Sequence, residues 1–395
     1  MTLSSRLDWN LRPNRLAELL ESQRRAGVAI LDLTESNPTR AGFSYPVDEI
    51  LAAFADPRSL LYEPAPAGLA AAREAVAAYY GSRGQAVEAE RILLTASTSE
   101  SYAYLFKLLA DPGAEVLVPR PSYPLFEFLA RLESVRVVQY PLVYHDAWSV
   151  DIDALAGAVT SRTCAVIVVN PNNPTGSFLK RDELEALVAL CAERGLAIIS
   201  DEVFADYAFG PDPRRVATLT GVEGVVTFSL SGLSKMAGLP QMKLGWMVIS
   251  GPPAQRHEVT ERLELIADTY LSVATPVQHA LADLLAAGAA VQQQIAARLR
   301  DNLDYLRDAM TGERPCRLLH LEGGWYATLR VPRTRSEEEW ALELLAQDQV
   351  LVQPGFFYDF ESEAYLVLSL LTPSEAFREG VRRLLGRATS GCAFG

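Results

Sequence analysis

The sequence predicts an α/β protein with a mostly parallel central sheet sandwiched by helices and a smaller α+β domain beside it. Three observations carry this. Short runs rich in Val, Ile and Leu, among them Ile92–Thr95, 164–170 and 196–201, alternate with stretches of helical spacing, the pattern of strands buried on both faces. Beyond Pro252 the texture changes to long amphipathic helices. A chain of 395 residues also exceeds one ordinary domain.

Taken in order, residues 14–26 show helical spacing of Leu16, Leu19 and Leu20, and 28–33 is a short apolar strand. The irregular 34–43 segment that follows is a candidate gate over a site. A turn-rich stretch from Tyr62 to Gly68 leads into an Ala-rich helix reaching about Tyr80. Strands are predicted at 92–95, 115–118, 135–140, 164–170, 196–201, 225–230 and 244–249, with helices at 97–110 and 123–132. Helices at 252–268 and 276–310 come next, the second crossing between domains. Strands at 318–321, 325–329, 350–353 and 365–370 and a closing helix at 374–386 complete the chain, leaving 390–395 as a frayed tail. The resulting division is a large domain at 50–285 and a small domain built from 1–49 with 286–395.

Composition narrows the function. A formal charge of -13 with no dense Lys/Arg run disfavours nucleic acid and anionic membrane as partners. No signal-peptide core and no stretch of 18 apolar residues are present, so a cytoplasmic location is expected. Cys164, Cys191, Cys316 and Cys392 are too far apart for a metal knuckle and read as reduced thiols. His145, His257, His279 and His320 are scattered, and no metal site is predicted. Neither a Walker loop nor a dinucleotide glycine fingerprint occurs.

Four features fall at the carboxyl ends of predicted strands, where open α/β sheets build their sites. Lys235 stands in the Ser/Gly-rich segment from Ser229 to Gly245, a setting that can desolvate an amine and make it nucleophilic. A solvated loop lysine would look the same in isolation. Asn170-Pro-Asn-Asn-Pro-Thr-Gly176 is a rigid turn able to aim an asparagine amide at a ligand, or merely a Pro/Gly turn. Asp201 ends an apolar strand, where a carboxylate would be buried and need a cationic partner; helix capping is the plainer reading. Thr95-Ala-Ser-Thr-Ser-Glu100 feeds a strand into a helix whose first amides could receive a phosphate, although Ser97 could simply cap it.

Together these residues resemble the class I/II aminotransferases, fold-type I pyridoxal phosphate (PLP) enzymes, over nearly the whole chain. The order and spacing of Asn-Pro-x-Asn-Pro-Thr-Gly, Asp201-Glu202 and Ser234-Lys235 carry the resemblance. It implies that Lys235 forms the Schiff base and shuttles the proton, that Asp201 keeps the pyridinium nitrogen protonated, and that Asn173 bonds the ring oxygen. Tyr123 would stack on the ring. Thr98 and Ser99 amides, with Ser231 and Lys243, would hold the phosphate, and Tyr62 would reach it from the partner subunit of a homodimer. Tyr326, in Gly323-Gly324-Trp325-Tyr326, and Asn37 would face the substrate.

Three departures stand against the family pattern. Lys243 replaces an arginine, giving a point charge where a fork is usual. Phe204 replaces a tyrosine, removing one hydrogen bond to the ring oxygen. Val367 occupies the place of the arginine that clamps the substrate carboxylate, and Arg40, in the gate segment, is the basic residue best placed by sequence to substitute for it. The reaction implied is ping-pong transfer of an amino group between an amino acid and a 2-oxo acid. The alternatives are a PLP-dependent β-lyase of the same fold and a non-catalytic ligand-binding relative.

Overall fold

A computed structural model of the chain describes residues 3–312, 315–362 and 364–392. The first part holds α1 (Arg15–Arg25), β1 (Leu31–Asp32), α2 (Val47–Ala52), α3 (Ala70–Gly81), β2 (Ile92–Thr95), α4 (Thr98–Leu109), β3 (Glu115–Arg120) and α5 (Phe126–Leu132). Then come β4 (Arg136–His145), β5 (Ala147–Val150), α6 (Ile152–Ala158), β6 (Thr163–Val169), α7 (Arg181–Arg194), β7 (Ala197–Asp201), β8 (Thr227–Gly232), α8 (Leu233–Met236) and β9 (Gly245–Ser250). The last part has α9 (Pro253–Tyr270), α10 (Thr275–His279), α11 (Leu281–Ala309), β10 (Arg317–Leu318), β11 (Tyr326–Arg330), α12 (Glu337–Asp348), β12 (Val350–Leu351), β13 (Gln353–Pro354), β14 (Tyr365–Ser369) and α13 (Ser374–Cys392).

The main sheet has eight strands in the order β2-β9-β8-β7-β6-β3-β4-β5. Pairing is parallel from β8 to β4, while β9 runs antiparallel to both β2 and β8 and β5 runs antiparallel to β4. Strands β7, β8 and β9 are buried along their whole length, as continuous Val/Ile/Phe-rich runs in a covered sheet must be. Because β2, β6, β7 and β8 point the same way, their carboxyl ends meet on one edge. The first residues of β9 return to that edge.

A second sheet, β10-β11-β14-β13, and the β1-β12 pair form a smaller unit. Its core gathers Leu16, Leu33, Trp325, Trp340 and Phe377. Helix α11 serves both units: Leu281 and Leu284 pack in the core beneath the main sheet, whereas Val291, Ile295, Leu299 and Leu303 pack in the other. Apolar positions every three or four residues along one face explain this reach.

Several expected boundaries shift. The 28–33 strand shrinks to the two residues of β1, and the 276–310 helix is broken at Ala280. The β5 hairpin arm and α6 occupy a region with no predicted element. Strand 318–321 contracts to β10, and α13 runs on to Cys392, through residues expected to fray. Residues 393–395 of that tail lie outside the described residues. Cys164 is only half-buried, contrary to its apolar context, while Cys191 is fully buried. The side chain of Cys392 lies outside the described residues. No helix among them is long and apolar enough to cross a membrane.

Candidate active site

The common edge of β2, β6, β7 and β8 collects the predicted residues. Asp201, the last residue of β7, is 8% exposed. Its Oδ2 accepts from the Tyr102 hydroxyl at 3.2 Å and its Oδ1 from the Val203 amide at 3.2 Å. Burial pushes its carboxyl up to about 6, against the two hydrogen bonds and the Lys235 charge, which pull it down. Tyr102 was not foreseen. It lies one turn after Thr98 on α4, a spacing that returns a side chain to the face of the helix start.

Lys235 sits in α8, directly after β8. Its amine lies 5.1 Å from the centre of the Trp325 ring and 6.0 Å from that of Phe204. Burial lowers its pKa, with Asp201 opposing the shift. Its carbonyl accepts the Tyr207 hydroxyl at 2.7 Å. Trp325 and Tyr207 therefore frame the lysine, though neither was assigned a role from sequence. Phe204 is buried against Trp325 and Tyr326.

The three asparagines of the turn after β6 behave differently. Asn170 spends its amide on Val216 O (2.8 Å) and the Leu179 N–H (2.9 Å). Asn172 spends its own on Pro121 O (3.0 Å), Thr175 Oγ1 (2.9 Å) and the Ser122 hydroxyl (3.2 Å). Asn173 is 7% exposed, and its Oδ1 finds no partner among the described residues. A buried amide atom left unpaired costs about 1–3 kcal/mol. Of the three asparagines, Asn173 alone keeps its Oδ1 free of partners among the described residues.

The amides of Thr98 and Ser99 open α4, where no preceding turn supplies carbonyl partners. Ser97 accepts from the Glu100 amide at 3.3 Å, so capping and an open helix start coexist. A Cβ built on Gly245 would lie 3.3 Å from Thr98 N and 3.1 Å from Ser231 O. The first residue of β9, the end of β8 and the start of α4 thus form a cradle that a side chain would crowd. Ser231 is buried in this cradle. Lys243 is exposed and left-handed (φ 52°) just before β9.

The opposite wall comes from the smaller sheet. Tyr326 and Thr328 pair with Ser369 and Val367, and Gln353 pairs with Val367, so these side chains share one face. That face meets the turn after β6 through Thr328 Oγ1 to Pro174 O at 3.5 Å, and meets the gate through Ser369 Oγ to Glu35 O. Val367 is 1% exposed, and none of the five residues is charged. Burial raises the Tyr326 hydroxyl, beside Ser36, Tyr123 and Glu35. Tyr123 is 39% exposed. In the gate, Asn37 Oδ1 accepts from the Thr39 amide (3.0 Å) and hydroxyl (2.7 Å), and Arg40 is exposed on the turn this makes. Tyr62 stands apart from the cluster, 79% exposed.

A desolvated lysine amine, a buried carboxylate and an unpaired asparagine Oδ1 thus lie on one edge of an open α/β sheet. The chain belongs to the aminotransferase class I and II family, which it matches over residues 28–384. It is 27% identical to a glutamate-pyruvate aminotransferase AlaA of Haemophilus influenzae, covering 91% of this chain and 90% of that one. It is 26% identical to the tyrosine aminotransferase of Homo sapiens, covering 92% and 84%. Among solved structures, an alanine aminotransferase from Pyrococcus furiosus superposes with a TM-score of 0.87 at 23% identity, covering 98% of this chain and 100% of that one. A double mutant of the Thermus thermophilus aspartate aminotransferase gives 0.82 at 26%, covering 98% and 99%. The chain is an aminotransferase, and these relatives support transfer over the lyase alternative.

Proposed function

We propose that the chain holds pyridoxal 5'-phosphate at this edge and uses it to move an amino group from an amino acid to a 2-oxo acid in two half-reactions. The desolvated Lys235 and buried Asp201, on the same sheet edge as Asn173 with its buried, unpartnered Oδ1, are the observation that carries the reading. When bound, the cofactor supplies a carbonyl to carry the amino group and a ring that withdraws electrons. Asp201 accepts a hydrogen bond from the protonated ring nitrogen and its charge keeps that proton in place. Lys235 would hold the cofactor covalently, and its amine, when free, would move the substrate's α-proton. Asn173 would donate its amide N–H to the ring oxygen, Tyr123 would cover the ring face, and Phe204 would leave that oxygen one donor short. The Thr98 and Ser99 amides, Ser231 and Lys243 take the phosphate.

The substrate carboxylate meets a neutral wall at Val367, so Arg40 closes over it from the gate, beside Asn37 and Tyr326. Exposed Leu60, Leu61 and Tyr62 suit a two-fold interface that delivers Tyr62 to the partner's phosphate site. Borohydride treatment of the cofactor-loaded protein tests the core of this reading. Peptide mapping should find the label on Lys235, and an amino donor alone should convert the bound chromophore. Labelling of another lysine, such as Lys243, would overturn the assignment.

A further inference from the structure

The turn leading into β11 belongs by sequence to the smaller sheet, yet its polar contacts run to loops of the main sheet. The amides of Glu322 and Gly323 both donate to Gly176 O at 3.0 Å, Glu322 O accepts from Phe209 N at 2.7 Å, and Gly324 N donates to Tyr207 O at 2.9 Å. A Cβ on Gly176 would lie 2.6 Å from Gly323 O, and one on Gly323 would lie 2.6 Å from Tyr207 O. Gly176 also has a φ of 70°, where other residues are strained.

The Glu322 side chain completes the join. Its Oε2 accepts from Lys180 Nζ at 2.6 Å and from the Phe178 amide at 3.0 Å, and its Oε1 accepts from Arg215 Nε at 3.1 Å. The three side chains are 4%, 13% and 12% exposed. Burial alone would raise the Glu322 pKa, but these hydrogen bonds and charges hold it below the usual range. Removing the carboxylate would leave two cations facing each other away from water, a strongly unfavourable arrangement.

The join leads to the lysine by two routes. Trp325, three residues on, is fully buried with its ring against the Lys235 amine, and its Nε1 has no acceptor among the described residues. Packing and the preceding turn must therefore set the indole's orientation. Tyr207, tied through its carbonyl to Gly324, donates its hydroxyl to the Lys235 carbonyl.

We propose that Glu322, paired with Lys180 and Arg215, is a positioning residue for Lys235, fixing Trp325 against its amine and Tyr207 against its carbonyl. The inference rests on Lys235 being the reactive lysine, which borohydride labelling decides separately. The test compares wild type with Glu322→Gln, which keeps the shape and loses the charge. Three readings are taken: steady-state kinetics, the absorbance of the bound cofactor, and the rate at which Lys235 of the apoprotein is acylated, followed by mass spectrometry.

Positioning predicts a kcat lower by roughly tenfold with KM changed less than about threefold, a shifted cofactor band, and acylation of Lys235 altered by about threefold or more. A variant that melts earlier but keeps all three readings would make Glu322 merely structural and overturn the proposal. If Glu322→Gln does not fold, the same readings on Arg215→Met, which keeps the Lys180 pair, decide the matter. Their constancy there would equally overturn it.

Discussion

The two walls of the site are built on different principles. The main-sheet wall places a carboxylate, an amine, an asparagine amide and a helix start at strand ends buried from solvent. The wall from the smaller sheet, Tyr326, Thr328, Gln353, Val367 and Ser369, holds no charge at all. Charge costs most where water is excluded, so the main-sheet groups must be matched to one invariant partner. The neutral wall sets no such demand. Val367 stands there, while Phe204 and Lys243, the other two expected departures from the family pattern, lie beside β7 and β9 of the main sheet.

The comparison breaks first at Lys235. Lys235→Ala should lower turnover by roughly 10⁴-fold or more, with the apoprotein still folded by circular dichroism. Appreciable turnover in that variant would remove the amine from the chemistry.

Asp201→Asn should cost roughly 10²-fold or more in kcat, yet stabilise the apoprotein at neutral pH. The folded pKa of Asp201, about 6, is above its ordinary value of 3.8. Its contribution is therefore fully present below about pH 4 and is lost as pH rises through about 6, a loss of roughly 2–3 kcal/mol. Thermal melts of the two apoproteins should coincide near pH 4 and separate by pH 8, the variant melting higher. A variant that melts lower at pH 8 would show that the charge is compensated in the apoprotein.

On the opposite wall, Arg40→Ala should raise KM for amino acid and oxo acid by about tenfold, equivalent to 1.4 kcal/mol, with cofactor affinity unchanged. Wild-type KM values would mean that the substrate carboxylate is anchored elsewhere. The smallest effect belongs to Phe204→Tyr. A donor restored to the ring oxygen should lower the pH midpoint of the bound-cofactor absorbance by about one unit. An unchanged midpoint would mean that position 204 does not face that oxygen.

Much of the main-sheet wall was legible because its residues follow strands directly. Asp201, Asn173 and Lys235 each close or succeed an apolar run, so local pattern and motif spacing coincide. The contacts of Tyr102 with Asp201, Tyr207 with Lys235 and Glu322 with Lys180 and Arg215 join residues 99, 28, 142 and 107 positions apart. No periodicity encodes such distances. The β5–α6 region was missed for a related reason: β5 is a four-residue arm extending β4 antiparallel, and its Trp148 is buried among side chains from elsewhere. Helix α13 ran past its expected end at 386 to Cys392, through residues whose polar and small side chains signal fraying when read alone.

Helix α11 rests on the lysine segment in the first half of its length. A Cβ on Gly288 would come 2.5 Å from that of Ala237, and Gln292 Nε2 bonds Met236 O at 3.0 Å. The helix thus ties the turn carrying Lys235 to both cores, its first turns seated beneath the main sheet and its later turns in the smaller unit.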